Sequence, residues 1–228
     1  MRNYMVKEKL FWGNLTDRSR LIESLKNNEV SIVSTDTVYG FLGNVTLESY
    51  DRICFLKNCP TWRPFLILIA SPDQESMEER LSRFVDLGSV SNRIVSFLSR
   101  CWPGPVTAIF KAKPGLPDFL VSEDGTIALR CPDHDGLQAI LPAFEGLFST
   151  SANRTGRPVP EKLSRVSPEI FEQVAYTVVD VVDELDGEIA KREPSSIIDF
   201  SGHDDLWRVV REGAYSIEKL KEIYEQTK

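Results

Sequence analysis

Phe65-Leu66-Ile67-Leu68-Ile69-Ala70 is an unbroken apolar run of strand length. A strand with one wet face alternates apolar and polar residues, whereas an unbroken run belongs to a strand covered on both faces. Covering both faces of a sheet takes helices, and helical patterns stand on either side of this run. Leu47 to Lys57 turns Tyr50, Ile53, Cys54 and Leu56 inward and stops near Pro60, which cannot continue a helix. Helices are also expected around Gln74–Phe84 and Ser91–Leu98.

Working outward, Asp17 to Asn27 reads as a first helix with Thr16 as its N-cap. Val30–Val33 then reads as a buried strand that empties into the polar loop Ser34–Thr37. Cys101-Trp102-Pro103-Gly104-Pro105 is a rigid turn into a strand, Val106–Lys111. Thr126–Cys131, Leu147–Thr150, Val178–Val182, Ser196–Phe200 and Leu206–Val210 read as further strands. His134–Phe144 and Ser216–Gln226 read as helices. Some strands follow one another directly, as hairpins do, so the expected class is α/β with a mixed parallel and antiparallel open sheet and flanking helices.

Composition narrows the function. The 228 residues suit one large domain, and no apolar run approaches the roughly 20 residues of a membrane-spanning helix. The first residues, Met1 to Lys9, lack the apolar centre of a secretion signal, so a cytoplasmic protein is expected. Net charge is −7, against the basic excess of proteins that live on nucleic-acid backbones; Lys191-Arg192 reads as a solvated loop. The four cysteines form no CxxC pair and there are two histidines, so no protein-bound metal site is expected and the thiols read as reduced. Neither a Walker A loop nor a GxGxxG fingerprint is present.

Three polar segments stand out at strand or helix ends. Ser149-Thr150-Ser151-Ala152-Asn153 offers hydroxyls, an amide and accessible backbone N–H groups, or else is simply a turn. Thr35, Asp36, Thr37 and Tyr39 lie beyond an apolar strand, where open α/β sheets place ligands, or form a solvated connection ending at Gly40. Lys57 and Arg63 flank a proline-containing loop; they either clamp a phosphate or, for Lys57, merely complement a helix dipole. Arg130 closes an apolar strand, where it meets a carboxylate ligand or pairs with Asp133 or Asp135. His134 beside it reads as a helix start rather than a general base, since no serine or cysteine nucleophile motif accompanies it.

In order along the chain, these segments resemble the YrdC-type threonylcarbamoyl-AMP synthases in their single-domain form. The matching pieces are Ser34–Gly40, Leu56–Ala70, Trp102–Thr107, Ala128–His134, Ser149–Asn153, Pro194–Asp199 and Val209–Ala214, within a domain spanning 15–215. Residues 216–228 are expected as a C-terminal helix packed on that same domain. The resemblance implies a twisted sheet and a nucleotidyltransferase that joins L-threonine, bicarbonate and ATP, with Mg²⁺ arriving on the ATP. Its product, threonylcarbamoyl-AMP, serves the modification of adenosine 37 in tRNAs, so tRNA or other tRNA-modification proteins are implied partners.

Carried over residue by residue, Thr35, Lys57, Thr107, Arg130 and Ser151 face threonine and its carbamate. Lys57, Ser151, Asn153, Ser195 and Arg211 face the nucleotide, and Lys57 with Arg63 supplies catalytic charge. One position departs: the family pattern Lys-x-Arg-Pro reads Lys57-Asn58-Cys59-Pro60. A thiol has no fork of donors, and giving up a charge-assisted hydrogen bond costs about 1.5–3 kcal/mol. Cys59 reads here as a neutral replacement rather than a redox device. The departure keeps two alternatives open: an RNA- or nucleotide-binding protein of this fold without synthase activity, and a carbamoyl-adenylate enzyme with another substrate.

Overall fold

A computed structural model describes residues 8–59, 63–72, 76–160, 162–181, 193–202 and 207–227. The expected Lys191-Arg192 loop, the N-terminal residues before 8 and Pro60 lie outside them.

Strand β1 (Lys9–Phe11) leads into α1 (Leu15–Lys26). This helix starts earlier than the sequence suggests. Asn14, not Thr16, is its N-cap: the Asn14 side chain accepts from the amides of Thr16 and Asp17 at 2.9 and 3.2 Å. The Asp17 carboxylate turns back to accept from Phe11 N, so the cap is closed from both sides. There follow β2 (Ser31–Val33), β3 (Gly40–Asn44) and α2 (Leu47–Lys57). Helix α2 has the expected bounds, yet Asn58 ends it by entering the left-handed region at φ 52°.

Next come β4 (Leu66–Leu68), α3 (Met77–Leu81), α4 (Asn92–Cys101), β5 (Val106–Lys111) and β6 (Thr126–Arg130). Then follow α5 (Asp135–Ile140), β7 (Leu147–Ser151), α6 (Pro168–Phe171) and β8 (Thr177–Val179). The helix expected to reach Phe144 breaks after Ile140 into a short 3₁₀ turn, Leu141–Ala143, where Pro142 has no N–H to continue the α pattern. Strands β9 (Ser196–Asp199) and β10 (Arg208–Arg211) and helix α7 (Ile217–Glu225) complete the order.

The described residues fall into two compact units, one drawn from residues up to 62 and 134–192, the other from 63–133 and 193 onward. In the first unit the strand order is β1-β8-β2-β3-β7. The β1–β8 and β8–β2 pairs are parallel, and β2–β3 and β3–β7 are antiparallel. Strand β3 carries no clear signal in the sequence because Gly40 and Gly43 depress strand propensity. Both are there for closeness: a Cβ would stand 3.1 Å from Thr150 O at Gly40 and 3.2 Å from Ile53 Cδ1 at Gly43. Leu21, Leu25, Ile32, Phe41, Leu42, Ile53 and Phe148 are fully buried in this unit.

In the second unit the order is β4-β6-β5-β9-β10. Here β4–β6 and β5–β9 are parallel, while β5–β6 and β9–β10 are antiparallel, the last with a shift of register between Val209 and Arg211. Each unit therefore carries a mixed open sheet with flanking helices. Phe97 of α4 packs edge-on against Phe200 and Tyr224 at 5.7 and 5.8 Å, and Phe110 stacks on Phe200 at 5.9 Å. Through Tyr224 and the buried Leu220, α7 is docked on α4. Among the described residues no helix is long and apolar enough to cross a membrane.

Candidate functional site

In the first unit the polar residues gather where β3 and β7 end side by side, with Gly40 opposite Ser151. Thr35 builds the loop before β3: its hydroxyl accepts from the amides of Thr37 and Val38 and donates to Val38 O at 2.8 Å. The segment that could have been a solvated connection is instead buried, with Thr35 and Thr37 each 4% exposed.

Lys57, the last residue of α2, is only 3% exposed. Its ammonium donates to Ser151 O at 2.8 Å and Asn153 O at 3.0 Å and lies 5.8 Å over the Phe41 ring. Its own carbonyl accepts from Thr155 N at 2.7 Å. The Ser151 hydroxyl donates to the Asn153 side-chain oxygen at 2.5 Å, and the Asn153 amide group donates to Arg157 O. Lys57, Ser151 and Asn153 are thus one knitted group. Beyond Asn153 lies a cavity of about 560 Å³, lined among others by Ala152, Asn153, Arg157, Val159, Arg165 and Ile170. That volume falls in the range of small-molecule sites.

A second cluster in this unit carries no signal in the sequence. The Ser34 hydroxyl donates to Asp180 at 3.0 Å, and the same carboxylate oxygen meets His134 Nε2 at 3.1 Å. Trp12 donates its indole N–H to Ser34 and sets its ring edge-on to His134 at 5.3 Å. His134 Nδ1 accepts from Leu137 N, so His134 is the N-cap of α5. Both ring nitrogens of His134 are therefore partnered, Nδ1 by the Leu137 amide and Nε2 by the Asp180 carboxylate. The helix-start reading of His134 agrees with this geometry.

In the second unit Thr107 on β5 and Ser195 before β9 face each other, hydroxyl to hydroxyl, at 2.8 Å. Arg211, at the end of β10, donates through Nε and Nη2 to Ser195 O at 3.2 and 2.7 Å. Arg130, 4% exposed, donates through Nε to Gly104 O at 3.0 Å in the Trp102–Pro105 turn. Desolvation first and the Arg130 charge second push the Arg211 pKa below the ordinary arginine value. Arg211, beside the Thr107–Ser195 hydroxyls and within reach of the Arg130 charge, offers the kind of donors an anion would need. Gly213 lets this wall close: a Cβ there would sit 2.2 Å from Pro194 O. Arg63 is exposed at the start of this unit's first segment, whereas Lys57 belongs to the first unit.

The donor set is cations, hydroxyls and amides. Among the described residues no group of three or more His, Cys, Asp or Glu is placed to hold a metal ion.

A family model described as "Telomere recombination", covering the Sua5, YciO and YrdC proteins, matches residues 23–213. The chain belongs to the Sua5/YciO/YrdC family. An Enterobacter protein named threonylcarbamoyl-AMP synthase is 30% identical over 183 residues, which is 79% of this chain and 90% of that protein. Among solved structures, Sua5 from P. abyssi complexed with L-threonine superposes with a TM-score of 0.77 at 21% identity, over 93% of this chain and 58% of that one. E. coli YciO gives 0.75 at 21% identity, over 94% and 99%. At these identities the two structures speak for the fold, a mixed open sheet with flanking helices. The Sua5/YciO/YrdC match runs through the Ser34, Lys57, Thr107, Arg130, Ser151 and Ser195 segments and through Arg211.

Proposed function

We propose that the protein is a nucleotidyltransferase that makes L-threonylcarbamoyl-AMP from L-threonine, bicarbonate and ATP for tRNA modification. The observation that carries this reading is the grip of Arg211 on Ser195, whose hydroxyl faces that of Thr107 at 2.8 Å, with the Arg130 charge near enough to act on Arg211. The name of the Enterobacter relative and the L-threonine in the Sua5 complex support the choice of substrate.

The chemistry asks for charge and position rather than a covalent intermediate. The threonine amine and bicarbonate give a carbamate and water. One carbamate oxygen then attacks the α-phosphorus of ATP, and the bond to pyrophosphate breaks. Such a transfer is accelerated by holding the attacking and leaving oxygens in line and by neutralising the phosphates. Thr35, Lys57, Thr107, Arg130 and Ser151 serve the threonine carbamate. Lys57, Ser151, Asn153, Ser195 and Arg211 serve the nucleotide, and the cavity beside Asn153, with Val159 and Ile170 in its wall, suits the base. Mg²⁺ would arrive with the ATP and help neutralise its phosphates.

Purified protein given ATP, Mg²⁺, bicarbonate and L-threonine is expected to release pyrophosphate only when threonine is present. Pyrophosphate release indifferent to threonine, or none at all, sinks this reading. One observation favours a second one, a nucleotide-binding protein without synthase activity. Cys59 stands where the resemblance implies an arginine, and its Sγ accepts a long 3.9 Å contact from Thr155. Tight ATP binding with no threonine-dependent turnover, even in a Cys59→Arg variant, would select it.

A further inference from the structure

Cys59 has a partner that spacing concealed. Helix α2 ends with Asn58 in the left-handed region, Asn58 N bonded to Phe55 O and Cys59 N bonded to Cys54 O at 3.1 Å. A closing bond of this kind brings the residue before the turn and the residue after it side by side. The backbone bond between Cys59 N and Cys54 O sets the two thiol side chains at the same corner of the helix end, and both are half-buried. Cys101 and Cys131, by contrast, are 1% and 0% exposed.

We propose that Cys54 and Cys59 form a dithiol modification site that a peroxide closes to a disulfide, displacing the Lys57 loop. The loop so closed contains Lys57 itself. Thr155 ties the two features together, because its amide donates to Lys57 O and its hydroxyl to Cys59 Sγ. The step balances with the peroxide as oxidant. Cys59 attacks one peroxide oxygen, becoming a sulfenic acid with loss of water. The Cys54 thiol then attacks the Cys59 sulfur, forming the S–S bond and releasing a second water. Burial, the largest effect on Cys54, pushes its thiol up to about 11. With the Thr155 hydroxyl set against its sulfur, Cys59 meets the oxidant, and Cys54 resolves it, its proton leaving with the departing hydroxide as water. A disulfide in this position draws Cys59 Sγ away from Thr155 and reshapes the turn that aims Lys57 at Ser151 and Asn153.

Trypsin cuts after Arg52, Lys57 and other basic residues, so the two cysteines fall on separate peptides unless a disulfide joins them. The full chain is treated with hydrogen peroxide, remaining thiols are alkylated, and the digest is read by mass spectrometry. Joined Cys54 and Cys59 peptides are expected, absent after thiol reduction and absent from the Cys54→Ser variant. In ¹⁵N-labelled protein the Thr155 amide signal is expected to shift on oxidation and return on reduction, with no shift in Cys54→Ser. Separately alkylated Cys54 and Cys59 peptides after peroxide, or an unmoved Thr155 signal, overturn the proposal. A further consequence rests on the synthase reading: threonine-dependent turnover falls by roughly tenfold or more on oxidation, the scale of one broken charge-assisted hydrogen bond. Cys54→Ser keeps its turnover under peroxide. If reduced protein shows no turnover, that reading fails, while the peptide and amide measurements still decide the disulfide.

Discussion

The ammonium of Lys57 is bonded to the main-chain oxygen of Ser151 at 2.8 Å. A buried cation at the end of α2 is thereby fixed to the tip of β7, the strand whose end bears the hydroxyl and amide side chains of the site. The geometry couples charge to polar wall, so changing either should be felt by the other.

Replacing Lys57 with alanine is expected to lower threonine-dependent pyrophosphate release by at least about ten- to hundredfold, the scale of a charge-assisted hydrogen bond. Arginine at this position should not restore it, because its planar fork cannot point at Ser151 O and Asn153 O as a compact ammonium does. Steady-state rates of both variants beside wild type check this, and unaltered kcat/KM in Lys57→Ala would remove Lys57 from the mechanism.

Arg211→Ala should raise the KM for ATP by roughly tenfold or more. Arg211→Lys should recover little of this, since lysine lacks the two-pronged grip on Ser195 O. Titration calorimetry with ATP separates a binding loss from a failure of turnover.

Gly213→Ala places a Cβ within 2.2 Å of the Pro194 carbonyl oxygen, a main-chain atom that cannot swing aside. Overpacking typically costs about 1–3 kcal/mol, and a clash with backbone belongs at the upper end. Urea unfolding should show the loss, with ATP affinity falling in parallel because Ser195 follows Pro194. Unchanged stability would mean that the turn relaxes freely.

Asp199 gives a pH prediction. Burial pushes its carboxyl up, but hydrogen bonds from the Ser201 hydroxyl and amide and the contact with Arg208 outweigh burial and hold its pKa below the usual aspartate value. A carboxylate whose pKa is lower in the folded state stabilises the fold above the unfolded value, about 3.9. That contribution is lost as pH falls from there through the folded value. Asp199→Asn should therefore be less stable than wild type at neutral pH, with the difference shrinking below about pH 4. Denaturation midpoints measured from pH 7 to 3 would expose a difference that stays constant, contrary to this account.

Truncating Phe97 to alanine removes the ring that meets both Phe200 and Tyr224. A loss of about 3–5 kcal/mol is expected, the usual cost of emptying a fully buried phenylalanine site. Thermal unfolding should show it, accompanied by loosening of α7. A shift of only a degree or two would mean that the neighbouring rings refill the space.

Elements with strong local signals were legible from sequence. The strand Val106–Lys111 and the helix Leu47–Lys57 stand at their expected bounds, because apolar periodicity and a helix stop act locally. Strand β3 was not, since its glycines look like breakers until Thr150 and Ile53 are seen pressing on them. The helix cap moved to Asn14 because two amides within reach of one side chain are a matter of three-dimensional direction. The order of polar segments pointed to the family. It could not show that Ser34 and His134 both lean on Asp180, which lies 146 and 46 positions away. Nor could it show that a turn brings Cys54 to Cys59.

The Thr107–Ser195 pair has a consequence of its own. Either oxygen can be the donor at 2.8 Å, so the direction of the hydrogen bond is set by what else the pair touches. Rotating two hydroxyl protons reverses the pair's polarity with no heavy atom displaced. Rigid walls that must greet a carboxylate at one moment and a phosphoester at the next have few other means of adapting. Two small side chains, one on β5 and one just before β9, give this wall a reversible sign.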